Sequence, residues 1–270
     1  MILIFDTTGG LCNQFYDIAN AINFCLACNI RFTFRYCHFR NDNLVSWVDA
    51  PFEKLFDKTF LSKSDLYIDY DEIKSKITED NCYNLKENSH ARFLFQNDDI
   101  LDQLTRLNRD YVVLKQFWAL YKFRNFIDKT IYNSLMPSRD LMERYIEIKN
   151  NIVGDQPYNF IHYRYEIDFT TFFKVDIRPL DTILCDIKFK KNNIRIYIAT
   201  SNIKNLIDLN DTKYQNLIYK NDDLLQDLNF EQRAFIDYMF GIHSEECFGH
   251  SKSSFSHMIN SIKRTNNFYN

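Results

Sequence analysis

The 270-residue chain is 46% hydrophobic and 16% aromatic, with 33 Lys plus Arg against 36 Asp plus Glu for a formal charge of −3. Such a composition belongs to a globular protein with enough chain for one large core or two modest ones, and it argues against disorder. The balanced charge, without a dense basic block, also argues against nucleic acid or a polybasic membrane role.

No stretch approaches the roughly 18 consecutive apolar residues of a membrane span. The opening MILIFDTT lacks the basic segment and apolar core of a signal peptide, so a cytoplasmic chain with no membrane span is expected. In chain order, the apolar run Ile2-Leu3-Ile4-Phe5 reads as a strand, and TGGLCNQF turns it into a helix whose Leu11, Phe15, Ile18, Ala19, Ile22 and Leu26 recur at helical spacing. Phe32, Phe34 and Tyr36 then alternate with Thr33 and Arg35 as a second strand. The seven cysteines are scattered; Cys25 and Cys28 form a Cys-x-x-Cys inside the helical pattern, with no second pair at zinc spacing, and read as core residues.

Residues 43–150 interleave Asp, Lys and Asn with aromatics; long helices are expected near 97–108 and 117–149, and the sheet content is not legible. A new α/β rhythm starts after Gly154-Asp155-Gln156-Pro157. Strands are expected at 158–164, 194–200, 217–219 and 246–248. Asn229-Phe-Glu-Gln232 resembles a capping box ahead of a helix with Phe235, Met239 and Ile242 on one face, and a last helix carries Phe255, Met258, Ile259 and Ile262. Strands alternating with helices predict two α/β domains, 1–153 and 154–270, with mostly parallel sheets and a ligand site at the carboxyl ends of their strands, in a cleft between the domains.

Three stretches carry candidate chemistry. Gly9 and Gly10, at a strand-to-helix turn, let backbone approach a ligand closely, and Asn13 and Gln14 add side-chain amides; a plain tight turn explains the glycines equally well. His162 and Arg164 lie two apart at a strand end, where an arginine suits a phosphate and Glu166 and Asp168 follow as carboxylates; a solvated ion pair is the alternative. Gly249-His-Ser-Lys-Ser-Ser-Phe-Ser256 places hydroxyls and amides at a helix start, a geometry for phosphate oxygens or for ordinary helix caps.

In the order GGLxNQ, HxR, IATSN, a helix carrying Asp237-Tyr238, and FGHxxSSFS, the chain resembles the GDP-fucose-dependent fucosyltransferase superfamily, which includes protein O-fucosyltransferases and α1,2- and α1,6-fucosyltransferases. The resemblance lies at 9–14, 160–168 and 231–256, and not at about 40–150. It implies a GT-B-like fold, two Rossmann-like domains facing a cleft, in an inverting, metal-independent glycosyltransferase needing no cofactor. Residues 1–153 would be the acceptor side and 154–270 the nucleotide-sugar side, with GDP-fucose as donor and a glycan or glycoprotein as acceptor. By matching position, Arg164 would bind the β-phosphate of the donor, with His162 beside it. Ser253, Ser254 and Phe255 would hold the diphosphate, Asp237 the guanine, and Gly9, Gly10 and Asn13 would close over the donor. Glu166, Asp168 and then Asp17 are candidate bases. Cys12 stands where the family often has glycine, and Ser201-Asn202 where members often have Asp.

Two other readings compete. Asp69-Tyr70-Asp71 is a D-x-D that a metal-dependent GT-A transferase would use to hold Mg²⁺ or Mn²⁺ against a diphosphate. A non-catalytic nucleotide-sugar or glycan-binding protein on the same fold is the other.

Overall fold

The computed structural model describes the chain except at residues 42–45, 86–99, 116, 118–130, 132–133, 166–173, 175, 177, 192, 201–210, 221–224 and 270. The chain divides into two compact units, Met1–Arg139 with Asn229–Glu231, and Asp140–Leu228 with Gln232–Asn270.

The first unit is built on β1 (Ile2–Asp6), α1 (Leu11–Cys28), β2 (Arg31–Arg40), β3 (Trp47–Pro51), a short α2 (Tyr70–Ile73), β4 (Cys82–Asn84), α3 (Ile100–Arg106) and β5 (Tyr111–Lys115). Its five-stranded sheet runs β3-β2-β1-β5-β4, parallel except for the β2–β3 hairpin. A parallel strand covered on both faces is apolar throughout, which is why Leu3, Ile4 and Phe5 on β1 and Val112, Val113 and Leu114 on β5 are all buried. Rings carry much of this core: Phe34 stacks on Phe52 at 4.9 Å, Phe52 on Phe56 at 5.0 Å, and Phe117 meets Phe5 edge-on at 5.0 Å. Helix α1 ends at Asn29, whose left-handed φ of 52° lets its amide cap the last turn.

The second unit contains α4 (Arg139–Ile152, from Asp140), β6 (Tyr158–His162), α5 (Leu180–Asp186), β7 (Arg195–Ala199), β8 (Leu217–Ile218), α6 (Phe230–His243, from Gln232), β9 (Cys247–His250), α7 (Ser254–Lys263) and β10 (Phe268–Tyr269). Its sheet, β10-β9-β6-β7-β8, is parallel throughout. Register puts His162 opposite Ala199 on β7 and Gly249 on β9, so three neighbouring strands finish at one level. On one face Phe160 stacks on Tyr197 at 5.9 Å and Tyr197 on Phe240 at 4.1 Å.

Three expectations need amendment. The helical pattern expected over 117–149 is interrupted: Pro137 bridges Phe56, Ser138 donates to the Leu55 carbonyl, and α4 begins only at Arg139. Proline lacks the amide that a continuing helix requires. The division between units falls ahead of α4 instead of at 153/154, because Tyr145 packs edge-on against Phe240 and its hydroxyl hydrogen-bonds His243 Nδ1 at 2.8 Å. Finally, Asp69 and Asp71 serve a local helix start. Asp69 accepts the Asp71 amide at 3.1 Å and pairs with Lys58, while Asp71 pairs with Lys74. No group of three or more His, Cys, Asp or Glu among the described residues is placed to hold a metal ion. No helix among them is long and apolar enough to cross a membrane.

Candidate functional site

In parallel α/β sheets, ligands bind where strands end and turns enter helices. The second unit's strand ends bring together most of the residues expected from sequence. His162 closes β6 and is buried; its Nδ1 shares a 2.9 Å hydrogen bond with Ser256 Oγ on α7, its carbonyl accepts the Tyr269 hydroxyl at 2.7 Å, and its ring lies 4.5 Å from that of Phe255. Burial, reinforced by the positive charges of Arg164 and Lys220 and by His250, pushes its pKa well below the usual imidazole value. His162 is therefore a neutral hydrogen-bonding group in a neighbourhood of positive charge. Arg164 follows β6, half-buried. Glu166 and Asp168 lie outside the described residues, as do Ser201 and Asn202.

The β9–α7 turn bears on the two readings of its serines. Ser253 occupies the N-cap position of α7, with φ −90° and ψ 120°, yet its side chain makes no capping hydrogen bond. Its hydroxyl is buried and has no partner among the described residues, which is not how a serine retained for capping behaves. Thr200, at the end of β7, holds a second buried hydroxyl without a partner among them. Ser254 is exposed on the first turn of α7, and Phe255 is buried against His162. His250 Nδ1 accepts the Lys252 amide at 3.1 Å, and the Ser253 amide donates to the His250 carbonyl at 3.0 Å, so the turn is held by His250 through both its ring and its backbone.

Asp237, on α6, meets Tyr197 of β7 and already has two partners: the Tyr197 hydroxyl donates to Oδ1 at 2.8 Å, and the Lys220 ammonium pairs with Oδ2. The structure thus adds Lys220 and Tyr197 to the one carboxylate expected from sequence. Both oxygens of the carboxylate are therefore engaged within the unit.

At the end of β1 in the first unit, the glycine pair is latched from several sides. Gly9 adopts φ +77°, where a Cβ would also lie 2.9 Å from Asn13 Nδ2; it is the glycine the conformation requires. Gly10 has ordinary φ −65° and forms the N-cap of α1. The Gly9 amide donates to His38 Nδ1 at 3.2 Å, and its carbonyl accepts Gln14 Nε2 at 3.0 Å. Gln14, fully buried, also donates to the His38 carbonyl at 2.8 Å and accepts the Thr7 hydroxyl and the His38 amide. It therefore serves the turn, and not a ligand. Asp17, a weak candidate base from sequence, accepts the Thr8 amide at 2.6 Å and is buried; its carboxylate is structural. Asn13 is half-buried beside Gly9.

Sequence reading had no role for His38, Arg40, Asp49 and Lys115 in the first unit or for Thr200 and Lys220 in the second. A signal existed for two of them. His38-Phe39-Arg40 repeats, at the end of β2, the His-x-Arg spacing of His162-Tyr163-Arg164.

No protein-family model matches the chain, and no curated protein matches it in sequence. Solved structures do match in fold. POFUT1 in complex with GDP superposes with a TM-score of 0.66 at 11% identity, covering 99% of this chain and 98% of that one. The fucosyltransferase NodZ from Bradyrhizobium gives 0.60 at 11% identity over 96% and 91%. NodZ alpha-1,6-fucosyltransferase soaked with GDP-fucose gives 0.58 at 11% identity over 97% and 92%. The expected GT-B-like architecture of two Rossmann-like α/β units is the one found.

Proposed function

We propose that the chain is an inverting, metal-independent glycosyltransferase that moves L-fucose from GDP-fucose to an acceptor hydroxyl on a glycan or protein. The observation that carries this reading is the strand-end cluster of the second unit. There a neutral His162 lies in the field of Arg164 and Lys220, and the buried hydroxyls of Ser253 and Thr200 have no partner among the described residues. Positive charge and idle hydroxyls suit a nucleoside diphosphate. The fold likeness to structures described with GDP and GDP-fucose supports the same donor.

In this mechanism the acceptor oxygen attacks the anomeric carbon opposite the diphosphate and inverts the configuration, while the C–O bond to the β-phosphate breaks. Arg164 binds the β-phosphate and neutralises the negative charge that grows on the leaving group. Ser253 and the first amides of α7, at Ser254 and Phe255, take further phosphate oxygens. Asp237, with Lys220 beside it, reads the base. Gly9, Gly10 and Asn13 serve the sugar side, and Glu166 or Asp168 accepts the acceptor's proton.

Arg164→Ala tests the reading directly. The expected result is a fall of about 10²–10³-fold in kcat, the effect of removing one group that stabilises transition-state charge. A protein that only binds nucleotide sugars would lose affinity and have no turnover to lose. A thermal-shift series with GDP, UDP, dTDP and ADP identifies the base: GDP alone should stabilise the fold, and stabilisation by UDP alone would overturn the donor assignment. Transfer that stops in EDTA would overturn metal independence.

A further inference from the structure

His38 is held between two partners at the end of β2. Its Nδ1 accepts the Gly9 amide at 3.2 Å, which places the ring's single proton on Nε2, and Nε2 lies 3.4 Å from Asp49 Oδ1 on β3. Lys115, at the end of β5, fixes that carboxylate at 2.9 Å. The ring stacks on Trp47 at 4.9 Å, and the His38 backbone is tied through Gln14 to the same turn. Residues from three strands therefore act in series on one backbone amide, Lys115 on Asp49, Asp49 on His38 and His38 on the amide of a glycine in the left-handed region.

We infer that His38 is a positioning residue for transfer: as the neutral Nε2–H tautomer, oriented by Asp49 and Lys115, it holds the Gly9-Gly10 turn in the conformation that meets the sugar. The assignment rests on the transferase reading and acts through Gly9. A turn whose amide is pinned by an unprotonated ring nitrogen is also sensitive to protonation, since a second ring proton would oppose the Gly9 N–H donor to donor. The charged groups around the ring are Asp49 on β3, Lys115 on β5 and Arg40 on β2, the last paired with Glu231. Asp17 of α1 lies at the adjoining Thr8.

Three variants separate this role from general stability. Asparagine places its Oδ1 near the position of the imidazole Nδ1 and keeps an acceptor for Gly9; glutamine reaches towards Asp49 and leaves Gly9 without one. His38→Ala and His38→Gln are expected to lower kcat by roughly 10- to 100-fold, the scale of an ångström-sized misplacement, with little change in donor KM. His38→Asn should recover most of the loss and move the acid-side fall of kcat to lower pH. Equal losses in all three variants, an acid limb at the same pH in His38→Asn as in the wild type, or kcat values that merely follow thermal stability would each overturn the assignment. A wild type with no turnover on any nucleotide sugar would overturn the transferase reading and this assignment with it, whereas turnover indifferent to His38 would overturn the assignment alone.

Discussion

Replacing Gly249 by alanine puts a methyl group where α7 already sits. The added Cβ would lie 2.2 Å from Ser256 Oγ, 2.4 Å from Ser256 Cβ and 3.3 Å from Ser256 Cα. Rotating the serine removes the first contact but not the second. The strand cannot retreat either, because Gly249 is paired with His162 of β6 on one side and with Phe268 of β10 on the other. The first turns of α7 must lift, at a cost of about 1–3 kcal/mol for overpacking. Breaking the buried bond between Ser256 and His162 adds about 1 kcal/mol. Ser253 and Phe255 move with the helix, so GDP affinity should fall by tenfold or more, equivalent to about 1.4 kcal/mol. Urea unfolding of the wild type, Gly249→Ala, Ser256→Gly and the double variant measures the contact directly. Ser256→Gly removes the obstructing atoms, so the alanine should cost less than about 0.5 kcal/mol in that background, with a coupling above about 1 kcal/mol. Additivity within about 0.5 kcal/mol would refute the packing argument.

Ser253→Ala removes a buried hydroxyl without a partner among the described residues, so unfolding free energy should stay within about 0.5 kcal/mol of wild type while calorimetry records a roughly tenfold loss of GDP affinity. The two glycines of the β1–α1 turn should differ: Gly9→Ala, forced into φ +77°, is expected to cost about 1–2 kcal/mol in urea unfolding. Gly10→Ala, at φ −65° and meeting only the far end of Arg40 at 3.2 Å, should cost under about 0.5 kcal/mol. The depressed pKa of His162 means that the unfolded chain takes up a proton the folded chain refuses. Stability should therefore hold above about pH 6.5, the unfolded imidazole value, and fall as pH drops below it until the folded value is reached. His162→Asn should flatten that dependence by up to about 1.4 kcal/mol per pH unit, one proton's worth, in unfolding curves measured between pH 4.5 and 7.5.

Which parts were legible in sequence follows from how local their causes are. β1, β6, β7 and β9 stand out as apolar or alternating runs bounded by turns, and α1 and α7 as helical stripes, because the pattern that buries them lies within each segment. Tyr111–Lys115 carries the same signature as β1 but is set among Asp-, Asn- and Lys-rich neighbours, and its burial depends on pairing with β1 far away in the chain. β4 and β10, three and two residues long, are strands only because of their partners. The same distinction runs through the site. Arg164 and the serines of α7 sit in compact motifs, whereas the group around His38 is assembled from β2, β3 and β5 by sheet register. No local spacing records that Asp49 and Lys115 meet.

The two strand-end clusters also differ in what they leave unsatisfied, and that difference separates binding from scaffolding. In the second unit, positive charge gathers around a neutral histidine and buried hydroxyls have no partner among the described residues. Buried hydroxyls of that kind are costly to keep in the free protein, and ligand oxygens that accept from them relieve the cost. In the first unit Thr7, Gly9, Gln14 and His38 bond to one another and Asp17 holds the intervening Thr8, so the turn is organised before anything binds. Truncating the first kind of group should therefore weaken ligand binding and spare the fold, while truncating the second should cost stability or geometry and spare nucleotide affinity. The glycine pair belongs to the second kind: Gly9 gives the turn its shape, and His38 and Gln14 keep it there.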